Sequence, residues 1–365
     1  MHQTTARRPI FDTAHRIAAD VAAPAADAVD RDARFPTEAI DALRAEGLLG
    51  ALVPSELGGP GHTFGDVASV CTVLGQHCAS AAMVYAMHQI QVATLVRHRC
   101  SSEFFRDYLA DLATHQPLIA SVTSEIGVGG DLRSSVCAIE RDDAGFRVTK
   151  RAPVISYGDT ADDFLVTARR APEAVPSDQA LVLVRRSDAV LERTSGWDAL
   201  GFRGTCSNGF TFSAQGHAEQ ILPVPFADIA SRTMLPTSHI LWSSLWLGIA
   251  TAAMTRARAF VRGEARKSPG AVPPAAIRAA EAVNALQSMR ANVERAIQEY
   301  ERRMDDPDAL GGLGFALQMN NLKIASSNAV VHIVGQALLI CGMAGYKADS
   351  PYALGRHLRD SYGAM

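Results

Sequence analysis

Eleven consecutive residues, Ser121-Val122-Thr123-Ser124-Glu125-Ile126-Gly127-Val128-Gly129-Gly130-Asp131, bring together hydroxyls, two carboxylates and three glycines. The segment begins with the texture of a strand and ends as a glycine-rich turn. Hydroxyls at a strand end can donate to the edge of a heteroaromatic ligand, and glycines let a backbone approach it closely. The spacing is not GxGxxG followed by a helix, nor does it contain the Gly-Lys-Ser/Thr of a phosphate loop. An ordinary β-turn is the competing reading. Four further segments carry candidate groups. Val154-Ile155-Ser156-Tyr157-Gly158-Asp159 stands just before an apolar strand, and Gly201-Phe202-Arg203-Gly204-Thr205 is a short basic loop. Arg262 to Gly270 places cations at a helix end, where the helix dipole alone would account for them. Cys341-Gly342-Met343-Ala344-Gly345-Tyr346 reads as a helix stop. The six cysteines and the histidines His77, His88, His98 and His115 show no metal-ligand spacing, so no metal site is expected.

The elements that must position these groups change texture twice along the chain. From Ile10 to about Thr114 apolar residues recur at helical steps, with breaks at Pro36, at Pro54–Pro60 and at Ser101-Ser102. From Pro117 to about Thr233 the period shortens. Ser135–Ile139, Phe146–Val148, Phe164–Ala168, Ala180–Val184, Gly209–Phe212 and Ala218–Leu222 read as strands separated by turn-rich pieces. With no helices between them, an antiparallel barrel or sandwich is expected rather than a doubly wound sheet. Beyond Pro236 long helices return, one from His239 to about Lys267, one opened by Pro273-Pro274, and one after the Gly311–Gly314 break. The expected fold is therefore α+β: a helical domain over 1–116, a β domain over 117–233 and a helical bundle over 234–365. More than one apolar face on the last helices suggests partner subunits.

Composition bounds the function without naming it. The chain has 365 residues, with 35 basic against 38 acidic side chains and a net charge of −3. That balance leaves no footprint for nucleic acid or an anionic membrane, and no apolar run of spanning length is evident. The first residues lack the apolar core of a signal peptide, and scattered cysteines point to reduced thiols in the cytoplasm.

Laid end to end, the segments resemble the acyl-CoA dehydrogenase family of flavoproteins over nearly the whole chain. Phe35-Pro36 with Leu48–Pro54 and Glu56–Gly61 looks like that family's first-domain signature. Thr123-Ser124-Glu125 through Asp131 is similar to its Thr-Glu-x-Gly-x-Gly-Ser-Asp loop, and Ile155-Ser156 to its Trp-Ile-Thr/Ser strand. Gly201–Thr205 is similar to its Gly-Leu-Arg-x-Thr loop, Cys341–Tyr346 to its Gly-Gly-x-Gly-Phe/Tyr turn, and Arg359-Asp360 to a dipeptide close behind. The resemblance implies FAD, held by Ser124 and Ser156 with backbone groups of Val122, Thr123, Val154 and Ile155 nearby. It further implies that Arg266 and the turn at Gly342 and Gly345 reach the FAD of a neighbouring subunit in a homodimer or homotetramer. Ser134 falls where the family's acyl-CoA contacts lie.

The reaction so implied is α,β-dehydrogenation of an acyl thioester, acyl-CoA or acyl-carrier protein, with electrons passed to an acceptor flavoprotein or another acceptor. A carboxylate must remove the α proton, and a dry, unpaired setting raises its pKa for that task. Three departures stand out: Val154 replaces the family's Trp, Pro269 stands where a Phe is usual, and counting from Arg359 places the usual Glu near position 368, past Met365. Glu264, on the first long C-terminal helix, is then the candidate base, although Arg262, Arg266 and Lys267 beside it would depress its pKa. Without that base, a flavin-dependent monooxygenase on the same fold, or an inactive acyl- or FAD-binding homologue, are the alternatives.

Overall fold

Helices, then sheets, then helices follow one another as the changes in sequence texture predict. The computed structural model describes residues 9–142, 145–267 and 269–364. The first part holds α1 (Pro9–Ile17), α2 (Ala23–Arg31), α3 (Thr37–Ala45), α4 (Phe64–His77), α5 (Ala79–His98) and α6 (Glu103–His115). Local chemistry sets their starts. Thr63 Oγ1 accepts the Asp66 N–H at 3.1 Å while the Asp66 carboxylate accepts the Thr63 N–H at 3.0 Å, a reciprocal cap that opens α4. Ser102 accepts the Phe105 N–H and opens α6.

Seven strands follow among the described residues: β1 (Ile119–Val122), β2 (Glu140–Asp142), β3 (Gly145–Ile155), β4 (Asp163–Arg169), β5 (Gln179–Arg185), β6 (Ala189–Ser195) and β7 (Asn208–Gly216). They form two sheets, ordered β1-β4-β5 and β2-β3-β7-β6. The expected antiparallel arrangement holds for every pair but one. β1 runs parallel to β4, Ile119 facing Asp163 through Val122 facing Val166, so the module is mixed. The β2–β3 hairpin supplies the crossover in place of a helix, which the run of strands in sequence does not reveal. β4 and β5 are buried along nearly their whole lengths, in keeping with their continuous apolar runs.

Two expected strands are absent. Ser135–Ile139 is irregular apart from a bridge at Ala138, because the amides of Val136 and Cys137 donate to the Glu125 carboxylate instead of a ladder. Ala218–Gln220 is a single 3-10 turn, and only Ile221 bridges to β5.

Helix resumes with α7 (Phe226–Ile229), then α8 (Leu235–Lys267), α9 (Ala275–Arg303), α10 (Pro307–Gly311), α11 (Leu313–Cys341), α12 (Met343–Tyr346) and α13 (Gly355–Tyr362). By length and composition alone α11 would pass for a membrane span, a test that a core helix also passes. It packs along α8 and α9 as a bundle helix. The first and last parts are joined by α4 crossing α8 at two glycines. A Cβ on Gly75 would stand 2.4 Å from the Leu245 carbonyl oxygen, and one on Gly248 would stand 2.3 Å from that of Thr72. The main buried apolar core draws on all three parts, from Ile10 to Ala364, and a smaller cluster of Ala22, Ala26, Val29, Ala39, Cys78 and Ala81 lies beside it.

Candidate active site

β1 ends at Val122, and the loop that follows is drawn back onto the end of β3. Ser124 Oγ donates to the Val154 carbonyl at 2.6 Å. The β3–β7 register slips between Ala152 and Ile155, which takes Pro153 and Val154 off the ladder. Val154 is left 38% exposed, an apolar side chain standing at an open edge. Ser156 closes the same edge: its hydroxyl lies 2.8 Å from that of Ser207, which lies 2.8 Å from that of Thr205, whose own proton goes to the Phe202 carbonyl at 2.9 Å. The Ser124–Val154 hydrogen bond thus joins the segments 122–124 and 154–156 at one edge. Gly129 and Gly130, with φ of +60° and +84°, have nothing within 4 Å of where a Cβ would stand, so the loop next to Ser124 is an open cradle. Ser134 is half-buried at the far end of this loop, its N–H on the Asp131 carbonyl.

Beneath the loop lies a polar group that the sequence did not signal as a unit. Glu125 is buried and accepts the Ser135 hydroxyl at 2.6 Å, the Val136 N–H at 3.1 Å and the Cys137 N–H at 2.6 Å. Lys150 Nζ stands 3.7 Å from it and donates to the carbonyl and hydroxyl of Thr167, both at 2.7 Å. Burial pushes the Glu125 carboxyl up, but Ser135, Lys150 and the two amides outweigh it and hold the group below its ordinary value. Burial lowers the Lys150 ammonium, with Glu125 and Cys137 opposing. The available signal for Lys150 was parity. It shares the inward face of β3 with Phe146, Val148 and Ala152.

The loop Gly201–Thr205 is fastened to α13. Phe202 N–H donates to the Asp360 carboxylate at 2.7 Å, and a Cβ on Gly201 would stand 2.3 Å from the Arg359 carbonyl oxygen. Burial lifts the Asp360 carboxyl to about 6 against that hydrogen bond. Arg203 donates to the Asp30 and Ala199 carbonyls, tying the loop to α2.

The remaining expected residues lie apart from this edge. Glu264 sits near the C-terminal end of α8, where it accepts from Lys267 Nζ at 2.7 Å, and Arg266 beside it is exposed. Among the described residues no hydrogen bond or ion pair links either of them to the Ser124–Val154 edge. The desolvated carboxylate that a base requires is therefore not what Glu264 presents. Gly342 stops α11 with a φ of +54°, and Gly345 packs where a Cβ would meet Cys341 at 2.8 Å. They shape a turn that leaves Met343 and Tyr346 exposed. All six cysteines are free, and no three potential metal ligands cluster among the described residues.

Comparison with known proteins aligns the acyl-CoA dehydrogenase N-terminal domain with residues 4–116 and the C-terminal domain with residues 229–364. The chain is 27% identical to amino sugar nitrososynthase DnmZ of Streptomyces peucetius, over 96% of this chain and 87% of that protein. It is 28% identical to L-evernosamine nitrososynthase of a Micromonospora species, over 98% of this chain and 85% of that protein. The FMN-bound structure of TdsC from Paenibacillus sp. A11-2 superposes with a TM-score of 0.84 at 19% identity, covering 98% of this chain and 92% of that one.

Proposed function

The chain belongs to the acyl-CoA dehydrogenase family, and we propose that within it this protein is a flavin-dependent monooxygenase that oxidises the amine nitrogen of a small organic substrate. Its likeness to two nitrososynthases over almost its full length is the observation that carries this reading.

The open edge suits a flavin: Val154 offers a flat apolar contact, Ser124 and Ser156 offer hydroxyls on either side, and Gly129 and Gly130 leave room for close backbone approach. FAD, the cofactor expected from the sequence, and FMN both present the ring these groups would hold. When bound, the flavin supplies hydride acceptance and, once reduced, oxygen activation. The chain's own residues bind and orient it. Ser124 is preset by its bond to Val154, and Ser156 by the hydroxyl relay through Ser207 and Thr205. An amine nitrogen brings its own lone pair to the reaction, so this chemistry needs no carboxylate to break a C–H bond. The arrangement agrees with that: Glu125 is fully engaged with Ser135 and two amides, and Glu264 pairs with Lys267.

The second reading is FAD-dependent α,β-dehydrogenation of acyl-CoA or an acyl-carrier protein, favoured by the family as a whole, with an acceptor flavoprotein as electron partner. Under either reading a homo-oligomer is proposed, because Leu317, Ile324 and Leu339 of α11 and Met343 and Tyr346 of α12 are exposed apolar side chains. The deciding experiment supplies purified protein with FAD or FMN, NADH and a flavin reductase, and follows oxygen uptake on adding amino sugars. Uptake coupled to an N-oxidised product supports the monooxygenase. Anaerobic bleaching of the flavin by acyl-CoA, with no amine-dependent uptake, overturns it in favour of the dehydrogenase.

A further inference from the structure

A cavity of about 500 Å³ opens between α2, the end of α4, the middle of α8 and the segment 348–359. Arginines dominate its polar lining. Arg356 is held by Asp27 at 3.1 Å and by the His77 carbonyl at 3.1 Å, and Arg359 pairs with Asp30. Among the described residues Arg256 has no such carboxylate partner, and its hydrogen bond is to the Ala252 carbonyl of its own helix. Burial and the like charge of Arg356 lower the Arg256 pKa, and Asp27 offsets this only in part. His357 also lines the cavity. It is 4% exposed, and neither ring nitrogen has a hydrogen-bond partner. A buried imidazole with both nitrogens unpaired loses free energy that a ligand donor or acceptor would restore.

We propose that this cleft binds a small molecule bearing a phosphate group, the phosphate seated between Arg256 and Arg356 and the remainder reaching His357. An anion there would relieve the repulsion between the two guanidiniums, and the planar forks of arginine match phosphate oxygens in pairs. The volume exceeds what an orthophosphate alone requires and lies in the range of small-molecule pockets. His357 is neutral in this setting, so one ring nitrogen can donate and the other accept. The cleft is separate from the Ser124–Val154 edge, and the inference stands whether or not the flavin reading does.

Isothermal titration calorimetry on the purified protein tests it, with orthophosphate, pyrophosphate and AMP as probes and sulfate at matched ionic strength as the control for charge alone. Saturable binding of at least one phosphate probe is expected, unchanged by excess FAD and weakened at least about tenfold in Arg256→Gln and in Arg356→Gln. Two variants are used so that the result does not depend on one of them folding, and Arg290→Gln, on the exposed side of α9, is expected to bind like the parent. Preference for AMP assigns the site to a phosphorylated organic ligand, and equal affinity for orthophosphate assigns it to the free anion. Absence of saturable binding, binding that both variants retain, or binding abolished by FAD would each overturn the proposal.

Discussion

His88 Nδ1 accepts the backbone N–H of Ile119 at 3.0 Å, while Nε2 of the same ring lies 2.8 Å from the Leu49 carbonyl. The first contact fixes the tautomer, since the nitrogen that accepts carries no proton and Nε2–H must donate. Through this ring α5 positions the first residue of β1, three residues ahead of Val122 and the loop that carries Ser124.

Acid should therefore loosen the protein through its histidines. Protonated His88 would set an N–H against the amide of Ile119, and burial drives its pKa down to about 4. An unfolded histidine titrates near 6.5, so between about 6.5 and 4 the unfolded chain takes up a proton that the folded chain refuses. Stability then falls as pH drops through that window. His98 and His239, also at about 4 through burial, act alike. Asp163 and Asp360, lifted to about 6 by burial from 3.8, act in the opposite sense and lose stability as pH rises from about 4 to 6. The three histidines should prevail, and the melting temperature is expected to fall between pH 6.5 and 4.5. His88→Leu should cost about 1–3 kcal/mol at pH 7, by leaving the Ile119 amide unpaired, and should flatten the pH slope. A slope of the opposite sign in urea titrations would overturn this assignment.

Removing the Lys150 ammonium leaves Glu125 buried with its charge no longer balanced. Lys150→Met is expected to lose about 3–5 kcal/mol in urea denaturation, and Lys150→Met/Glu125→Gln to recover roughly 1 kcal/mol or more of it. If the double variant is no better than the single, the two charges are not coupled.

Ser156→Ala deletes one hydroxyl at the open edge without emptying the core. Flavin binding, followed by fluorescence quenching, should weaken by roughly fivefold to tenfold, equivalent to about 1 kcal/mol. The melting temperature of the flavin-free protein should hardly move. Unchanged flavin affinity would remove Ser156 from the cofactor site.

Glu264→Gln tests the base expected from the sequence. An ion pair at the surface contributes little, so turnover in either assay should stay within about a factor of two and stability should be nearly unaffected. A loss of several orders of magnitude would reinstate Glu264.

Gly248→Ala presses a methyl group against the Thr72 carbonyl of the facing helix. A cost of about 1–3 kcal/mol or more is expected, because a close-packed crossing has no slack. Gly314→Ala, in open space, is the control and should be neutral or slightly stabilising.

These relationships differ in how far the sequence discloses them. Local texture alone leaves Thr123-Ser124 and Ile155-Ser156 as an ordinary turn and a strand end, and only the family resemblance places them at one site; the structure joins them through the Ser124–Val154 hydrogen bond. The long helices were legible, because their apolar period is set within one element. The parallel β1–β4 pairing was not legible, since register between strands more than 40 residues apart leaves no local trace. Nor was the fate of Ser135–Ile139, whose apolar character reads as a strand until the Glu125 carboxylate is seen to take its amides. For Glu264 the sequence shows Lys267 three residues on, but not that the two side chains form a hydrogen bond at the helix end. Arg256 and Arg356 meet only because α8 and α13 pack together.

The glycine crossing of α4 and α8 also bears on biosynthesis. Gly75 leaves the ribosome roughly 170 residues before Gly248, and at typical elongation rates that interval is on the order of ten seconds or more. Throughout it the face of α4 that packs on α8 awaits a partner helix that has not yet been translated. The nascent chain therefore passes through a long interval of exposed apolar surface, and its yield in a cell should depend on what shields that surface until α8 arrives.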